Sequence, residues 1–459
     1  MDELYFQIAV AVGMGVLGAV LFSLIGLVSG TDETATIAPV TLVVVLLGVP
    51  PVGIFTFWMA AAVSKHLTHA VPTALLGIPG DTMAIPLMPQ ATALKNLGVP
   101  HIALRKMISG GIIAAFIAVP LSVGFALVLA PFASAITGAA PWLFLMAALL
   151  IAYFSAGRWA SVAALVPFVL LIVALRAFTA GYETPLTISY FLGIAVGPLV
   201  AALFSVLSPL ERANMKTDGP RQFSLAPDVK SWSGYLPNPF RVLDRTQIKW
   251  TAAAATVTSA TFVFSPVAMT VIMGEAVGAR IKHAYHRLTT VLSVRNGVTE
   301  STYIAEAMIP LIAFGLPLSP VAAGPAAPLF IAPPRFTVDS ASGQVENLHT
   351  MMTPLEFLGY GLLAVALAGL IAYPFAMNYA RTAAMFVSRK ISHEAIIATF
   401  VGLVLVIGGW EGGMLGVLVI VTVGLVGGLL YRIIGFNTGV QFMGFYMAIL
   451  TVPALIALF

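Results

Sequence analysis

Residues 29–50 read SGTDETATIAPVTLVVVLLGVP, and residues 296–317 read NGVTESTYIAEAMIPLIAFGLP. The two stretches align without a gap at an offset of 267 residues, which places Glu33 opposite Glu300. Each begins with polar and acidic residues, continues with a short apolar run and ends in a Gly-x-Pro element. Repeated, interrupted segments with polar residues in an apolar chain point to the binding site of a transporter. The other identical pairs are Gly30–Gly297, Ile37–Ile304, Ala38–Ala305, Gly48–Gly315 and Pro50–Pro317.

The composition around these stretches is that of a membrane protein. Of the 459 residues, 59% are hydrophobic and 9% are charged, whereas soluble domains carry about 25% charged residues. Lipid requires each spanning segment to satisfy its own backbone, and helices of about 20 residues do so. We therefore predict an all-α polytopic membrane protein with about 10–12 transmembrane segments in two structurally repeated halves, to which the two repeats add broken segments. The predicted spans are 5–28, 107–137, 186–208, 247–273, 355–379, 396–410, 412–431 and 436–458, with two more in 141–178 that are broken near Gly157 and Arg158.

A long polar stretch with many basic residues divides the chain almost in half. The basic, proline-containing stretch 209–246 is predicted to be a polar cytoplasmic linker, because Lys and Arg accumulate in cytoplasmic loops. The basic loops 95–106 and 381–390 are predicted on the same side. A second repeat at an offset of 251 residues pairs Gly157-Trp159 with Gly408-Trp410. The predicted halves are 1–208, with core segments 29–100 and scaffold helices 107–208, and 247–459, with core segments 296–330 and scaffold helices 355–459.

The polar starts of the two repeats supply oxygen ligands for a hard cation. Carboxylates, hydroxyls and unwound backbone carbonyls bind sodium. An ionisable residue at mid-membrane costs about 2.5–3.5 kcal/mol, so it persists where it faces protein or water. The Glu33 and Glu300 segments are therefore candidate sodium sites, and no other cofactor is expected. The alternative to a binding segment at residues 29–39 is an external loop between two spans. The predicted substrate and cation ligands are Gly30, Thr31, Asp32, Glu33, Thr34, Asn296, Gly297, Thr299, Glu300 and Ser301.

Three Gly-x-Pro breaks interrupt the apolar runs. Proline removes an amide donor, and glycine tolerates the backbone that results. Helix N-termini at such breaks attract anions, so a carboxylate substrate could lie against them. Asp81 and Thr82 after the second break, and Ser319 after the third, are expected either to cap a helix or to bind a ligand. The predicted binding residues are Gly48, Pro50, Gly77, Pro79, Gly80, Asp81, Thr82, Gly315, Pro317 and Ser319.

Three basic side chains precede the second break. Lys65, His66 and His69 could hold an anion, but the favoured interpretation is that they extend to the membrane interface. The chain has no phosphate loop or nucleophile elbow, so it is not expected to be an enzyme. Its net charge of +4 does not indicate a nucleic-acid partner, and the lack of cysteine excludes thiolate metal sites.

Four stretches carry a family resemblance: Gly26–Gly30, Leu75–Gly80, Ala307–Pro317 and Gly424–Gly444. They resemble the large permease subunit of the tripartite tricarboxylate transporters, the TctA family. The chain departs from that family's pattern at Ser29-Gly30, at Pro89–Thr92 and at Leu318. The resemblance implies two related halves, each with helical hairpins and broken helices at the core. It also implies cation-driven uptake of a small carboxylate, together with a small four-helix membrane subunit and a periplasmic substrate-binding protein.

We therefore predict a multi-pass secondary active transporter in a bacterial or archaeal cytoplasmic membrane. It would import a small organic anion, a di- or tricarboxylate, and couple this import to a sodium or proton gradient through an elevator-like movement. The sequence leaves the oligomeric state open, and a homodimer is one of the assemblies that it allows. A passive channel that uses the acidic segments as a filter is an alternative, as is a non-transporting assembly subunit. An intramembrane enzyme using Glu33 and Glu300 as acid and base would lack a nucleophile or metal set.

Overall fold

In the residues that it describes, the computed structural model is helical, with one hairpin of two-residue strands, β1 (Thr337–Val338) and β2 (Val345–Glu346). Its described part contains six helices that are long and apolar enough to cross a membrane, and four shorter apolar helices. The predicted all-α polytopic class is thereby confirmed. Most of the predicted linker, namely residues 210–231, lies outside the described residues. The structure describes residues 2–155, 157–181, 186–207, 209, 232–262, 266–338, 345–390 and 393–456.

The helices follow one another through short turns, and several begin at a proline, whose fixed φ suits the first helical position. A π turn at Pro72–Leu76 and a 3-10 helix at Thr82–Leu87 flank the second break. In chain order the α-helices are α1 (Asp2–Ile25), α2 (Glu33–Leu46), α3 (Pro51–Val71), α4 (Met88–Asn96), α5 (Pro100–Leu129), α6 (Ala133–Gly138), α7 (Ala140–Phe154), α8 (Trp159–Thr179), α9 (Thr187–Leu207), α10 (Pro239–Val242), α11 (Arg245–Thr258), α12 (Pro266–Gly278), α13 (Ala284–Phe314), α14 (Pro320–Ala323), α15 (Leu348–Met351), α16 (Pro354–Lys390), α17 (His393–Ile434), α18 (Thr438–Tyr446) and α19 (Val452–Ile456).

Two helical groups form the molecule. In the first, α13 packs along α5, α3 lies between α1 and α16, and α11 and α12 cover α13. In the second, α17 packs along α9, with α8 and α18 beside them. Helix α2 contacts α9, so it lies between the groups. Helices from both predicted halves therefore interleave, and the division into core and scaffold remains a prediction.

Small residues allow the closest helix contacts, as membrane helices commonly require. A Cβ added at Gly110 of α5 would lie 2.3 Å from the Ser293 carbonyl oxygen of α13. One added at Gly26 would lie 2.6 Å from the Lys65 carbonyl oxygen of α3. Glycine allows a similarly close contact in the second group, where a Cβ added at Gly428 would lie 2.2 Å from the Gly197 carbonyl oxygen. These backbones approach because no side chain separates them.

Several predicted spans agree with the helices. The span 186–208 corresponds to α9, and 141–178 is broken between α7 and α8, where Arg158 has φ 45°. The predicted separation of 396–410 from 412–431 corresponds to a kink in α17, where Gly412 and Gly413 leave the helical conformation.

The span 247–273 was predicted wrongly as one helix. It consists of α11 and α12, because α11 ends at Thr258 and Pro266 begins a new helix. The side chains of Thr258 and Ser259 bond back to carbonyls of the last turn of α11.

Candidate functional site

The first repeat begins with a capped helix. The Asp32 side chain accepts hydrogen bonds from the amides of Thr34 (2.9 Å) and Ala35 (3.3 Å), so it is the N-cap of α2. An acidic cap satisfies unpaired amides and complements the helix dipole. Thr31 donates to the Val28 carbonyl oxygen at 2.9 Å. These two predicted ligands therefore bond to backbone in this conformation, while Glu33 points elsewhere.

Glu33 belongs to a cluster of ionisable side chains that are at most 5% exposed. Its Oε1 lies 3.0 Å from His66 Nε2 and 3.6 Å from Lys65 Nζ. Lys65 Nζ donates to Asp81 Oδ2 at 2.8 Å. His69 Nδ1 lies 2.9 Å from the same Asp81 oxygen. The charged cluster, a name used below, consists of Glu33, Lys65, His66, His69, Asp81 and Glu300.

Helix α3 presents the basic members of the charged cluster. Lys65 and His69 are four residues apart, so they project from one face and meet Asp81 together. His66, one position along, reaches the carboxylate of Glu33 at the start of α2. The interpretation of Lys65, His66 and His69 as interfacial residues is wrong, because their side chains are fully buried. Their carboxylate partners explain how they remain inside.

The second repeat reaches the same cluster through Glu300. His66 Nδ1 lies 3.3 Å from Glu300 Oε2, and the opposite ring nitrogen faces Glu33. His66 Nδ1 makes no hydrogen bond to the described residues, so its approach to Glu300 is a charge contact and not a donated bond. Neither Glu300 oxygen accepts a hydrogen bond from the residues that the structure describes. His66 therefore bridges the two repeats, and Glu300 retains acceptor capacity.

The second repeat differs from the first in its backbone. Asn296–Thr302 lies within α13, which runs without interruption from Ala284 to Phe314, whereas the first repeat starts a helix. The unwound backbone carbonyls expected as sodium ligands are therefore absent at the polar start of the second repeat, within α13. Side-chain hydroxyls explain this, since Thr299 and Ser301 each bond back to a carbonyl one turn earlier. Such bonds let polar residues remain in a helix.

The hydroxyls of the second repeat do not form a symmetric shell with those of the first. Thr299 Oγ1 lies 3.0 Å from Thr270 Oγ1 of α12, and Ser301 Oγ lies 2.6 Å from Thr258 Oγ1 of α11. Gly297 lies against Thr251, where a Cβ would come within 2.7 Å of a methyl group. Thr34, from the first repeat, instead lies beside Gly324. Glu33 and Glu300, in contrast, are equivalent residues that both approach the side chain of His66.

All three predicted breaks contain a glycine in the left-handed conformation. At each break a polar side chain donates a hydrogen bond to a backbone carbonyl. Gly48, Gly77 and Gly315 have φ of 77°, 73° and 65°. Arg335 donates to the carbonyls of Val45 and Val49, beside Pro50. Lys95 donates to Leu76, and Asn347 donates to Gly315, two residues before Pro317. Carbonyls left unpaired at helix ends need such donors, so these break carbonyls already have partners.

The second break joins the first repeat directly. The Gly30 amide donates to the Gly80 carbonyl oxygen at 2.7 Å, and Ser29 donates to the Pro79 carbonyl oxygen at 2.6 Å. Gly80 packs so closely that a Cβ would lie 2.5 Å from the His69 carbonyl oxygen. This contact holds Asp81 beside α3.

Asp81 and Ser319 both cap helical turns, which was one of the two expected roles. The Asp81 side chain accepts from the Ala84 amide as the 3-10 helix begins at Thr82. Ser319 accepts from the Ala322 amide and donates to the Glu306 carbonyl oxygen. Asp81 therefore has two roles, because its other oxygen contacts Lys65 and His69.

The family comparison covers nearly the whole chain. The model described as "Tripartite tricarboxylate transporter TctA family" matches residues 12–440. The chain belongs to the TctA family. No curated protein and no solved structure matches it. The family assignment makes the chain a multi-pass membrane component of a tripartite tricarboxylate transport system. The TctA family is a family of transporter subunits and not of enzymes.

In this TctA protein, sequence reasoning favoured the membrane interface for the three basic residues of α3 and did not identify the aromatic residues beside them. The His66 ring contacts Tyr303 edge-on with centroids 4.5 Å apart, and Tyr303 stacks on Trp58 at 6.0 Å. The available signal was three basic residues in an otherwise apolar segment of spanning length. Such intramembrane ionisable residues are functional candidates by default.

The donor atoms of the cluster differ in how well they suit sodium. Glu33, His69 and Asp81 offer ligand atoms within 4.8 Å of one another. The Lys65 ammonium already lies against both carboxylates there, so it supplies the positive charge. One helical turn from Glu300, Asn296 Oδ1 also accepts no hydrogen bond from the described residues. Unpaired hard oxygens suit sodium, so the Glu300 side fits the ion better than the Glu33 side.

Proposed function

We propose that this TctA protein is a secondary active transporter that imports a small organic anion, a di- or tricarboxylate, together with sodium ions or protons. The observation that carries the proposal is the buried bridge from Glu33 through His66 to Glu300. It joins the two repeated segments at one point, and it contains groups of both signs. The family's membership of tripartite tricarboxylate systems supports the substrate class.

The charge of the cluster favours cotransport of a cation. The three carboxylates of the charged cluster and the Lys65 ammonium leave a formal charge of −2 with both histidines neutral and of −1 with His66 protonated. A buried charge without a partner is costly, so positive charge is drawn into this site. Glu300, whose oxygens accept no hydrogen bond from the described residues, is where a sodium ion or a proton would enter, and Asn296 Oδ1 would be a second ligand for sodium.

The same contacts supply a coupling mechanism. Lys65 and His66 are the cationic groups that an organic anion would bind, and their charge is held by Glu33, Asp81 and Glu300. A cation at Glu300 neutralises the carboxylate that His66 faces. His66 then has a ring nitrogen available for a substrate carboxylate. Cation and anion therefore favour each other's binding, which is the condition for symport.

Transport also requires that the cluster open alternately to each side. We include in the proposal an elevator-like movement of the cluster-bearing helices α2, α3 and α13 against the group built on α9 and α17. The protein would do this in a bacterial or archaeal cytoplasmic membrane. A small four-helix membrane subunit and a periplasmic substrate-binding protein would assist it, and two copies of the chain would form a homodimer.

The proposal is tested by counterflow in proteoliposomes that contain the chain with and without its two partner proteins. Vesicles loaded with an unlabelled carboxylate should transiently accumulate labelled carboxylate, for di- or tricarboxylates but not for monocarboxylates. A passive channel would equilibrate the label without this overshoot. Absence of transport with the complete set of partners would favour an assembly subunit instead.

A matched pair of variants tests whether transport depends on the charged cluster. Glu300→Gln removes a buried carboxylate, whereas Glu346→Gln removes an exposed one in β2. Counterflow should be lost or should become independent of sodium and pH in the first variant only. Equal activity of the two variants would contradict the assignment.

A further inference from the structure

Glu306 is a buried acidic residue of the second repeat that lies outside the charged cluster. It follows Glu300 by six residues on α13, which corresponds to about 9 Å along the helix axis. Its side chain is fully buried. It occupies the position of Pro39 in the first repeat, so the repeat symmetry does not account for it. Among the residues that the structure describes, none forms an ion pair with Glu306.

The backbone around Glu306 explains why it contacts the segment that follows α13. Pro310, four residues later in the helix, has no amide hydrogen, so the Glu306 carbonyl oxygen lacks its helical donor. The hydroxyl of Ser319 donates to this oxygen at 2.6 Å. The amide of Val321 donates to Glu306 Oε2 at 3.2 Å. Both donors belong to the tip segment, a name used below for Gly315–Gly324, which turns back onto α13.

The tip segment lies where the two helical groups meet. A Cβ added at Gly324 would lie 3.1 Å from Thr34 Oγ1 at the start of the first repeat. One added at Gly439 of α18 would lie 3.6 Å from Pro320 Cβ. The tip segment thus touches both the first repeat and the second helical group, and its displacement would open the boundary between them.

The described contacts hold the tip segment near its start, its middle and its end. At the start, the Asn347 side chain donates to the Gly315 carbonyl oxygen at 2.9 Å. Just beyond the end, the Trp58 indole donates to the Pro325 carbonyl oxygen at 3.0 Å. Neither of these side chains carries an ionisable group, whereas Glu306 does. The contact in the middle is therefore the one that can respond to pH.

Burial decides which form of Glu306 fits this arrangement. Oε2 accepts the bond from Val321, and Oε1 has no hydrogen-bond partner among the described residues. A carboxylate held in this way would be a buried charge with one hydrogen bond and no cation, which is costly. The neutral acid avoids that cost. The observed contact between Glu306 and the tip segment is therefore compatible with the protonated form.

The titratable side chains on the elements packed against α13 are engaged elsewhere. Those of α3 belong to the charged cluster, and Lys95 of α4 donates to the Leu76 carbonyl oxygen. Glu275 of α12 pairs with Arg295. The His349 ring of α15 faces the Ile312 carbonyl oxygen at 3.0 Å. The full set is Lys65, His66, His69, Lys95, His101, Arg105, Lys106, Arg245, Lys249, Glu275 and His349.

The charged residues of α5 and α11 lie in the first two turns of these helices. Helix α5 reaches Ser293 of α13 only at Gly110, after those turns. Ser293 precedes Glu306 by thirteen residues, which is about 20 Å along the helix. On α13 itself, Tyr303 lies one turn before Glu306, and its ring contacts the rings of His66 and Trp58.

We propose that Glu306 is a proton-binding site that fastens the tip segment to α13 in its neutral form and releases it in its ionised form. Loss of the proton leaves a carboxylate that requires water, and water reaches it when the tip segment moves away. The closed arrangement holds one more proton than the open one. Low pH therefore favours the closed arrangement, and rising pH favours the open one. The site is separate from the charged cluster, and the proposal stands whether or not the chain carries out transport.

The chain contains no cysteine, so a single introduced thiol can report on the tip segment. Ala323→Cys places the thiol in the tip segment, and Ala148→Cys places it on α7 as a control; both positions are fully buried. The full chain in detergent would be labelled with a hydrophilic maleimide from about pH 6 to pH 8, where a free thiol is mostly protonated. Each rate would be divided by that of the same cysteine in the Glu306→Gln background at the same pH, because thiol reactivity itself depends on pH.

Glutamine keeps an acceptor oxygen for the Val321 amide and cannot ionise, so Glu306→Gln should hold the tip segment closed at every pH. The rate ratio for Ala323→Cys should therefore rise with pH, by at most about tenfold per pH unit for the loss of one proton. The ratio for Ala148→Cys should stay constant. Glu346→Gln, at an exposed position of β2, is the charge-matched control and should leave the labelling of Ala323→Cys unchanged.

Hydrogen–deuterium exchange of the peptide that contains the tip segment is a second measurement, and it needs no new cysteine. Relative to Glu306→Gln at the same pH, exchange in the unmodified chain should become faster as the pH rises. The inference fails if neither the labelling ratio nor the relative exchange rises with pH. It also fails if Glu300→Gln, in the charged cluster, removes the pH dependence as completely as Glu306→Gln does.

Discussion

Replacing Lys65 by methionine would remove the ammonium group that Glu33 and Asp81 share and would keep most of the side chain's volume. The Lys65 side chain is fully buried, and its nitrogen lies 2.8 Å from Asp81 and 3.6 Å from Glu33. Removing one partner of a buried ion pair destabilises by about 3–5 kcal/mol, because the other charge stays buried without compensation. His69 remains beside Asp81, so we expect a loss near the lower end of that range, about 3 kcal/mol.

Asp81→Asn provides the partner for a double-mutant cycle. Asparagine keeps the oxygen that caps the 3-10 helix at Thr82 and loses the charge. The combination of Lys65→Met with Asp81→Asn should therefore be more stable than the sum of the two single changes predicts, with a coupling of about 1–3 kcal/mol. The assay is the denaturant dependence of unfolding in detergent micelles, followed by circular dichroism. Additive effects, or a Lys65→Met variant as stable as the unmodified chain, would refute the buried ion pair.

Three further predictions concern transport, packing and helix ends. Glu300→Gln should abolish cation-driven uptake while membrane expression stays normal; uptake at the unmodified rate in low sodium would argue against its role. Gly80→Ala should lower the melting temperature because its Cβ would lie 2.5 Å from a backbone oxygen, whereas Gly124→Ala, with nothing within 4 Å, should not. Arg335→Met should destabilise by about 1–3 kcal/mol, since the Val49 carbonyl oxygen loses the guanidinium donor and the Val45 carbonyl oxygen keeps only the Gly48 amide. The same denaturant titration measures it, and an unchanged midpoint would show that water replaces the guanidinium.

The breaks in the fold could be predicted because their signal is local. Glycine followed by proline restricts the backbone within three residues, and Gly48, Gly77 and Gly315 all adopt the left-handed conformation. The acidic residues of the repeats were also identifiable, since Glu33 and Glu300 recur at one offset in an apolar chain. Each of these inferences required only a short window of sequence or a comparison of two windows.

The contacts of the site could not be predicted because they depend on packing between distant helices. A basic residue near a break can extend to the interface or lie inside, and the choice for Lys65 and His66 depends on the carboxylates that α2 and α13 bring to them. The uninterrupted path of α13 through Asn296–Thr302 likewise depends on hydroxyl partners in α11 and α12. A polar run alone therefore does not distinguish an unwound segment from a buried helix.

Concentrative uptake most directly tests the claim that the two repeats form one coupled site. Proteoliposomes would be given a labelled tricarboxylate while sodium and proton gradients are imposed separately, for the unmodified chain and for Glu33→Gln with its partner proteins present. We expect accumulation above equilibrium under at least one gradient in the unmodified chain and its loss in the variant. Accumulation that ignores both gradients, or that persists in Glu33→Gln, would contradict the account.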